Sequence, residues 1–313
     1  MGIYIQTNTS SINARRNLNL SSDALAKHTE RISSGYRINH AADDAAGLAI
    51  SEQLKSNVRA MLQAKRNTSD GISLVQTAEG GLAEISNVLV RLKELSVQSA
   101  SDTVQDKERS YIQKEFGALK DEINRIAFST EFNGTRLLTG NVNLPGAVDK
   151  NGDPTVHTTP SPLEVQVGAN YVYGADAIDN PNPVHVIQID LSKINALTKG
   201  HNALDLGEAG DDDDTRADTK AAAQVSINRV DDAIEKVNSY RASLGAIQNR
   251  LNHAVSNTGI MVENMEAAKS RIRDTDYAEE TSQVVQQGIL QKAGVSVLAQ
   301  ANALPEMALK LLG

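Results

Sequence analysis

Three features of this sequence predict a mainly α-helical fold: an elongated antiparallel helical bundle or coiled coil with a small β-hairpin region and paired N- and C-terminal helices. Prolines 145, 154, 160, 162, 181 and 183 crowd one middle region, apolar residues repeat every seven positions through 230–272, and each chain end carries its own apolar stripe. Proline costs about 3 kcal/mol inside a helix, so the tracts it avoids, 1–144 and 184–304, are free to be helical, the strand-like start of the second excepted.

The 313 residues would fill two or so ordinary domains, yet aromatic residues make up only 3 %, and Trp and Cys are absent. Large rings supply most of the apolar area of ordinary cores. A core lacking them must come from many Ala, Leu, Ile and Val contacts, which suits long helices packed side by side. The net charge of -8 argues against a nucleic-acid partner, which needs a clustered basic face. Zero Cys removes disulfides, thiolate metal sites and Cys nucleophiles together. Residues 1–11 are rich in Asn, Ser and Thr, with no basic start followed by an apolar run, so no cleavable signal is expected. No stretch approaches the roughly 18 apolar residues of a membrane span, and no membrane partner is expected.

The elements follow in chain order. Ile5, Ile12, Leu18, Leu25 and Ile32 form the first stripe, which ends at the Ser33-Ser34-Gly35 break. From about Asp44 a second helical tract carries Val58, Leu62, Ile72 and Val75, then Leu82, Ile85, Leu89 and Leu92 at three-four spacing. Gly80-Gly81 within it reads as a point of close packing. A turn at Asp102-Thr103 precedes a helix from about Asp106 to Ser129, with Ile112, Phe116, Leu119, Ile123 and Ile126 on one face. The segment Asn141–Ser161, with Asn-Gly-Asp-Pro at 151–154, reads as an exposed loop.

The period then changes. Leu163, Val165 and Val167 alternate with polar residues up to Gly168, and Val186–Leu191 is β-branched, so these pair as a hairpin around the loop Ala169–Pro183. Val230, Val237, Leu244, Leu251, Thr258, Met265 and Ile272 fall seven apart, and Ala233, Ile247, Ala254, Met261 and Ala268 follow three residues behind. That is an a/d seam over about six heptads, and it needs a partner stripe. After the Arg273-Asp274-Thr275 break, Val284, Val285, Ile289, Leu290, Val297, Leu298, Leu304, Leu309 and Leu312 make the last stripe. Burying one Leu or Ile stabilises by about 1.5–3 kcal/mol. Two such stripes must therefore pair with each other or be covered by a partner, and the repeating partner expected is another copy of the chain.

No catalytic constellation stands out, and the chain is not expected to be an enzyme or to hold a cofactor. The six His are scattered, and no phosphate-cradling loop, Gly-x-Ser-x-Gly elbow or zinc spacing occurs. Asp211–Asp214 offers carboxylates to a hard cation, but a solvated acidic linker is the preferred reading. Asp149–Asp153 resembles part of a calcium loop, with Pro154 where a Gly is needed. No metal site is assigned.

The terminal motifs resemble those of bacterial flagellins. At the N-terminal end they are Arg31–Asn39, Ala41–Gly47, Arg66–Ser73 and Gln76–Gly80; at the C-terminal end they are Leu244–Arg250, Ser270–Tyr277 and Ala293–Asn302. The resemblance covers about 1–140 and 225–313, and it implies a structural subunit that self-assembles into the flagellar filament for motility. It further implies that residues 1–43 and 274–313 pair as an inner coiled-coil layer, largely unstructured before polymerisation, with the connector in 33–47. On the same basis 44–140 and 222–273 form the helical bundle, and 141–221 holds loops, the hairpin and an acidic linker. Only about 30 residues, Ser192–Ala221, separate strand from helix, so a short form without large outer domains is expected.

The resemblance also implies partners: other flagellin subunits including paralogues, an export chaperone at the C-terminal helix, and cap and hook-junction proteins. It implies export through the type III apparatus to an external, sheathed or periplasmic filament. Arg91, Leu95 and Glu115 align with the face presented to a Toll-like flagellin receptor, a face that equally serves assembly. The polymerisation stripe comprises Ile5, Ile12, Leu18, Leu25, Ile32, Val284, Ile289, Val297, Leu298 and Leu304. A hook–filament junction protein and a secreted coiled-coil binding protein are the alternative readings.

Overall fold

The computed structural model describes residues 7–140, 162–170, 185–191, 193–198, 203–206 and 215–312, with side chains up to Ala303. Five helices account for most of it: α1 (Thr9–Ser34), α2 (Ala45–Ser99), α3 (Asp106–Ser129), α4 (Lys220–Arg273) and α5 (Tyr277–Leu312). Two small antiparallel sheets complete it, β1 (Glu131–Phe132) with β2 (Thr135–Arg136), and β3 (Leu163–Gln166) with β4 (Val186–Ile189). The chain divides into two compact units, residues 1–58 with 263–313, and residues 59–262. Helices α2 and α4 contribute residues to both.

In the 59–262 unit, α2 buries Val75, Ala78, Leu82, Ile85, Leu89, Leu92 and Leu95. That three-four rhythm keeps one face of the helix in the core. Helix α3 adds Ile112, Phe116, Ile123 and Ala127, and α4 adds Val230, Ala233, Val237, Leu244 and Leu251. Both run antiparallel to α2. Arg91 meets Glu115 of α3 at 2.9 Å, while Lys93 meets Asp231 of α4 at 2.5 Å and Glu79 meets Arg241 at 4.0 Å. The turn between α2 and α3 is fixed by Arg109, whose guanidinium donates to the Ser99 carbonyl at 2.9 Å, to the Ser101 carbonyl and to Asp106. A capping box between Gln105 and Glu108 opens α3.

The heptad seam is buried through Val230, Val237, Leu244, Leu251 and Thr258, then only half-buried at Met265 and Ile272. Its second row is weaker than expected: Ala233 is buried, Ile247, Ala254 and Ala268 are half-buried, and Met261 is exposed. Gly81 is the close-packing glycine of its pair, while a Cβ on Gly80 would meet open space.

The β3–β4 hairpin forms as expected, with Leu163 opposite Ile189 and Gln166 opposite Val186. Two features of the middle depart from expectation. Residues 131–136, which follow the helix expected over 106–129 and for which no strand was expected, form a hairpin, because Asn133 (φ 50) and Gly134 (φ 78) adopt the two left-handed conformations of a two-residue turn. The stretch after β4 is also not a bare linker. Ile194, Ala196, Leu197, Leu204 and Leu206 are buried in the core, held by bonds from Ala196 N–H to the Leu138 carbonyl and from Leu204 N–H to the Leu197 carbonyl. The loop 141–161, Asp149–Asp153 and the acidic run Asp211–Asp214 lie outside the described residues, as does most of Ala169–Pro183.

Candidate assembly interface

In the unit formed by residues 1–58 and 263–313, α1 and α5 pack along each other. Asn8 caps α1 by accepting from Ser11 N–H at 3.0 Å, and its amide donates to the Ala301 carbonyl at 2.8 Å. Ser11 Oγ donates to Asn302 at 2.8 Å. Further along, Gly294 faces Leu18, Glu280 faces His28 and Arg31, and the Tyr277 hydroxyl donates to the Ile32 carbonyl at 3.2 Å. Partner numbers fall on α5 as they rise on α1, so the pair is antiparallel. Small residues at Ala14, Gly294 and Ala301 allow the close approach.

Glu280 is the one buried charged side chain described in this unit, 7 % exposed. Its carboxylate meets His28 Nδ1 at 2.5 Å and Arg31 Nη1 at 3.1 Å. Burial pushes its pKa up, but the hydrogen bonds from His28 and Arg31 outweigh that and hold it below the usual glutamate range.

The helix breaks are stitched together. Gly35 ends α1 in a left-handed conformation (φ 74), its N–H donating to the Arg31 carbonyl. Tyr36 and Asp274 form an antiparallel bridge, flanked by bonds from Arg37 N–H to the Arg273 carbonyl at 2.7 Å and from Thr275 N–H to the Gly35 carbonyl at 3.0 Å. The Arg273 guanidinium lies 4.6 Å from the centre of the Tyr36 ring and donates to Glu52 at 2.6 Å.

The two terminal stripes divide between a paired side and an open side. Leu18, Leu25, Ile32, Val284 and Leu298 are half-buried. Ile12, Ile289 and Val297 remain 58 %, 62 % and 55 % exposed on helices that already have partners. Leu20, Val285, Leu290 and Val295 are exposed too; Leu20 and Val295 were not among the stripe residues read from the sequence. Ile5 and the side chain of Leu304 lie outside the described residues.

In the other unit, Arg91 and Glu115 come together, with Nε and Nη2 donating to one Glu115 oxygen at 3.0 and 2.9 Å. Arg91 Nη1 also donates to Glu94 at 2.9 Å. Leu95 does not join them on the surface. It is 1 % exposed, within the cluster that includes Leu92 and Phe116. Residues four apart on a helix are offset by about 40°, and here that offset turns the leucine inward. Among the described residues no group of three His, Asp or Glu side chains is placed to hold a metal, and no helix is long and apolar enough to cross a membrane.

A pair of long terminal helices that leaves apolar side chains open, with no metal-binding cluster among the described residues, defines a mainly helical protein with an uncovered terminal surface. Comparison with known proteins gives the family. The bacterial flagellin N-terminal helical region matches residues 5–143, and the bacterial flagellin C-terminal helical region matches residues 227–312. Flagellin of Bacillus subtilis is 41 % identical over 311 residues, covering 98 % of this chain and 99 % of its own. Flagellin B of Vibrio anguillarum is 36 % identical over an alignment of 376 positions that covers all of both chains. Among solved structures, a Bacillus cereus flagellin is 29 % identical with a TM-score of 0.45, covering 65 % of this chain and 94 % of its own. A putative flagellar hook-associated protein from Vibrio parahaemolyticus, 16 % identical, shares the fold at a TM-score of 0.53 over 74 % of this chain and all of its own. The chain belongs to the bacterial flagellins, the structural subunits that self-assemble into the flagellar filament.

Proposed function

We propose that copies of this chain join through the open apolar side of the α1–α5 pair, so that residues 1–43 and 274–313 form the inner layer of the filament. The supporting observation is that Ile12, Ile289 and Val297 stay exposed on helices that are already paired. Leaving such residues in water forfeits about 1.5–3 kcal/mol each, which a neighbouring copy would recover. On this reading the bundle residues 44–140 and 222–273 form the outer layer, and 141–221 supplies surface variation.

Family membership supports the remaining roles in this reading. The chain acts through interfaces and carries no catalytic activity, cofactor or metal. It is exported by the type III apparatus and built into an external or sheathed filament, alone or with paralogous flagellins, between hook-junction and cap proteins. Before export a chaperone covers the C-terminal helix. The Arg91–Glu115 pair belongs to the face offered to neighbouring subunits or to a Toll-like flagellin receptor, with Leu95 shaping that face from beneath.

Seeded growth tests the assembly reading. Ile289→Asp and Val297→Asp should leave the helical circular dichroism of the chain intact yet abolish elongation of filament seeds in electron microscopy. Filaments of normal length from both variants would refute it.

A further inference from the structure

We propose that Asn133 is a site of spontaneous covalent modification, converting to aspartate and isoaspartate through a succinimide closed by the backbone nitrogen of Gly134.

The tip of the β1–β2 hairpin leaves both reacting groups open. Asn133 and Gly134 are exposed, and among the described residues neither the Asn133 side-chain amide nor the Gly134 N–H has a hydrogen-bond partner. Glycine carries no side chain to screen its nitrogen from Asn133 Cγ, and the space where a Cβ would stand is empty to 4 Å. Other asparagines of this unit are placed differently. The Asn124 amide donates to Thr198 Oγ1 at 3.0 Å, and Asn195 Oδ1 accepts from Leu197 N–H at 3.1 Å. Each also precedes a residue with a side chain, Arg125 or Ala196.

The reaction balances with water alone. The Gly134 nitrogen gives its proton to solvent and bonds to Asn133 Cγ, the Cγ–Nδ2 bond breaks, and Nδ2 leaves as ammonia. Water then opens the five-membered imide at one of its two carbonyl carbons. Opening at Cγ gives aspartate in an ordinary main chain. Opening at the original main-chain carbonyl leaves Gly134 attached through Cγ, which is isoaspartate.

Ring closure needs the turn to rearrange, and little holds it in place. Two residue pairs close the hairpin, Glu131 with Arg136 and Phe132 with Thr135, and a two-stranded hairpin is marginal by itself. The opening stays local, because Thr130 N–H still bonds the Ile126 carbonyl on one side and Leu137 N–H the Thr130 carbonyl on the other. The two products then act differently on the fold. Aspartate keeps the two-residue turn and adds a negative charge. Isoaspartate lengthens the main chain by one carbon in a loop whose length sets how the strands pair. Leu137 and Leu138 follow at once, both fully buried, and the Leu138 carbonyl accepts from Ala196 N–H. The distortion therefore reaches the core where α3 meets the stretch after β4.

The full chain, held folded at mildly alkaline pH and then digested with trypsin, tests this. Cleavage after Arg125 and Arg136 isolates residues 126–136, in which Asn133 is the only Asn or Gln. Mass spectrometry should show both acid forms of that peptide accumulating within about a hundredfold of their rate in the urea-denatured chain, since only the hairpin must open. Asn133→Gln, which would have to close a larger ring, should show none. No conversion in the folded chain, or a rate as low as its globally unfolded fraction dictates, would overturn the inference. The aged chain should also melt below Asn133→Asp, which carries the charge without the extra carbon. Equal melting temperatures would sink the structural half of the proposal.

Discussion

Gly81 of α2 lies directly against Thr130, so that a Cβ on Gly81 would stand 2.6 Å from Thr130 Oγ1 and 2.7 Å from a Leu138 methyl. Thr130 cannot readily retreat, because its hydroxyl donates to the Ile126 carbonyl at 2.8 Å and its N–H closes the end of α3. Gly81→Ala therefore sets helix propensity, which favours Ala by about 1 kcal/mol, against overpacking, which costs about 1–3 kcal/mol. Overpacking wins, and the variant should melt at a lower temperature. Its neighbour Gly80 faces open space, so Gly80→Ala should raise the melting temperature instead. Thermal denaturation of both variants by circular dichroism checks the pair, and equal shifts of one sign would contradict this account.

The burial of Leu95 separates two effects that a surface-patch view would merge. Leu95→Ala opens a cavity in the core and should destabilise the bundle by about 2–5 kcal/mol in chemical denaturation. Arg91→Ala removes only a half-exposed ion pair with Glu115 and Glu94, so the denaturation midpoint should stay close to that of the parent. Any loss of receptor signalling or filament growth in the leucine variant should accordingly track its loss of fold, whereas a loss in the arginine variant would report the face itself. A Leu95→Ala chain as stable as the parent would show that the leucine is not a core residue.

How legible these features were depended on whether the information was local. Helix α3 matched its expected span, Asp106–Ser129, because its apolar spacing and flanking turn are written in adjacent residues. The β3–β4 hairpin was legible from its period of two. The β1–β2 hairpin carried an Asn133-Gly134 signal just as local, but strands of two residues are too short to show an alternating pattern. Ile194, Leu197, Leu204 and Leu206 follow no regular period, and their burial depends on backbone bonds to distant segments such as Leu138. The terminal stripes were visible, yet which members pair and which stay open depends on the α1–α5 register. That register is set by contacts between the two ends of the chain, and Glu280, one charged residue among many, gave no sign of being buried.

Asp43 makes the acid sensitivity of the connector testable at one atom. Its carboxylate accepts from Lys27 at 2.7 Å and from the backbone N–H groups of His40 and Asn39 at 3.2 and 3.3 Å, tying α1 to the turn before α2. The Lys27 hydrogen bond, followed by that from His40, lowers its pKa from 3.8 to about 2 against an opposing push from burial. A depressed carboxylate pKa means that the unfolded chain binds the proton first as pH falls. The contribution of Asp43 to stability is therefore complete above its ordinary 3.8 and is lost as pH drops through about 2. Carboxyl-carbon NMR should place its titration midpoint near that lower value, and Lys27→Met, which removes the largest cause, should move it up toward 3.8. The difference in stability between the parent and Asp43→Asn should likewise be constant at neutral pH and shrink only in strong acid. A parent midpoint already at the ordinary value would mean that Lys27 and the two backbone donors do not hold the charged form, and the connector would then owe nothing to this carboxylate.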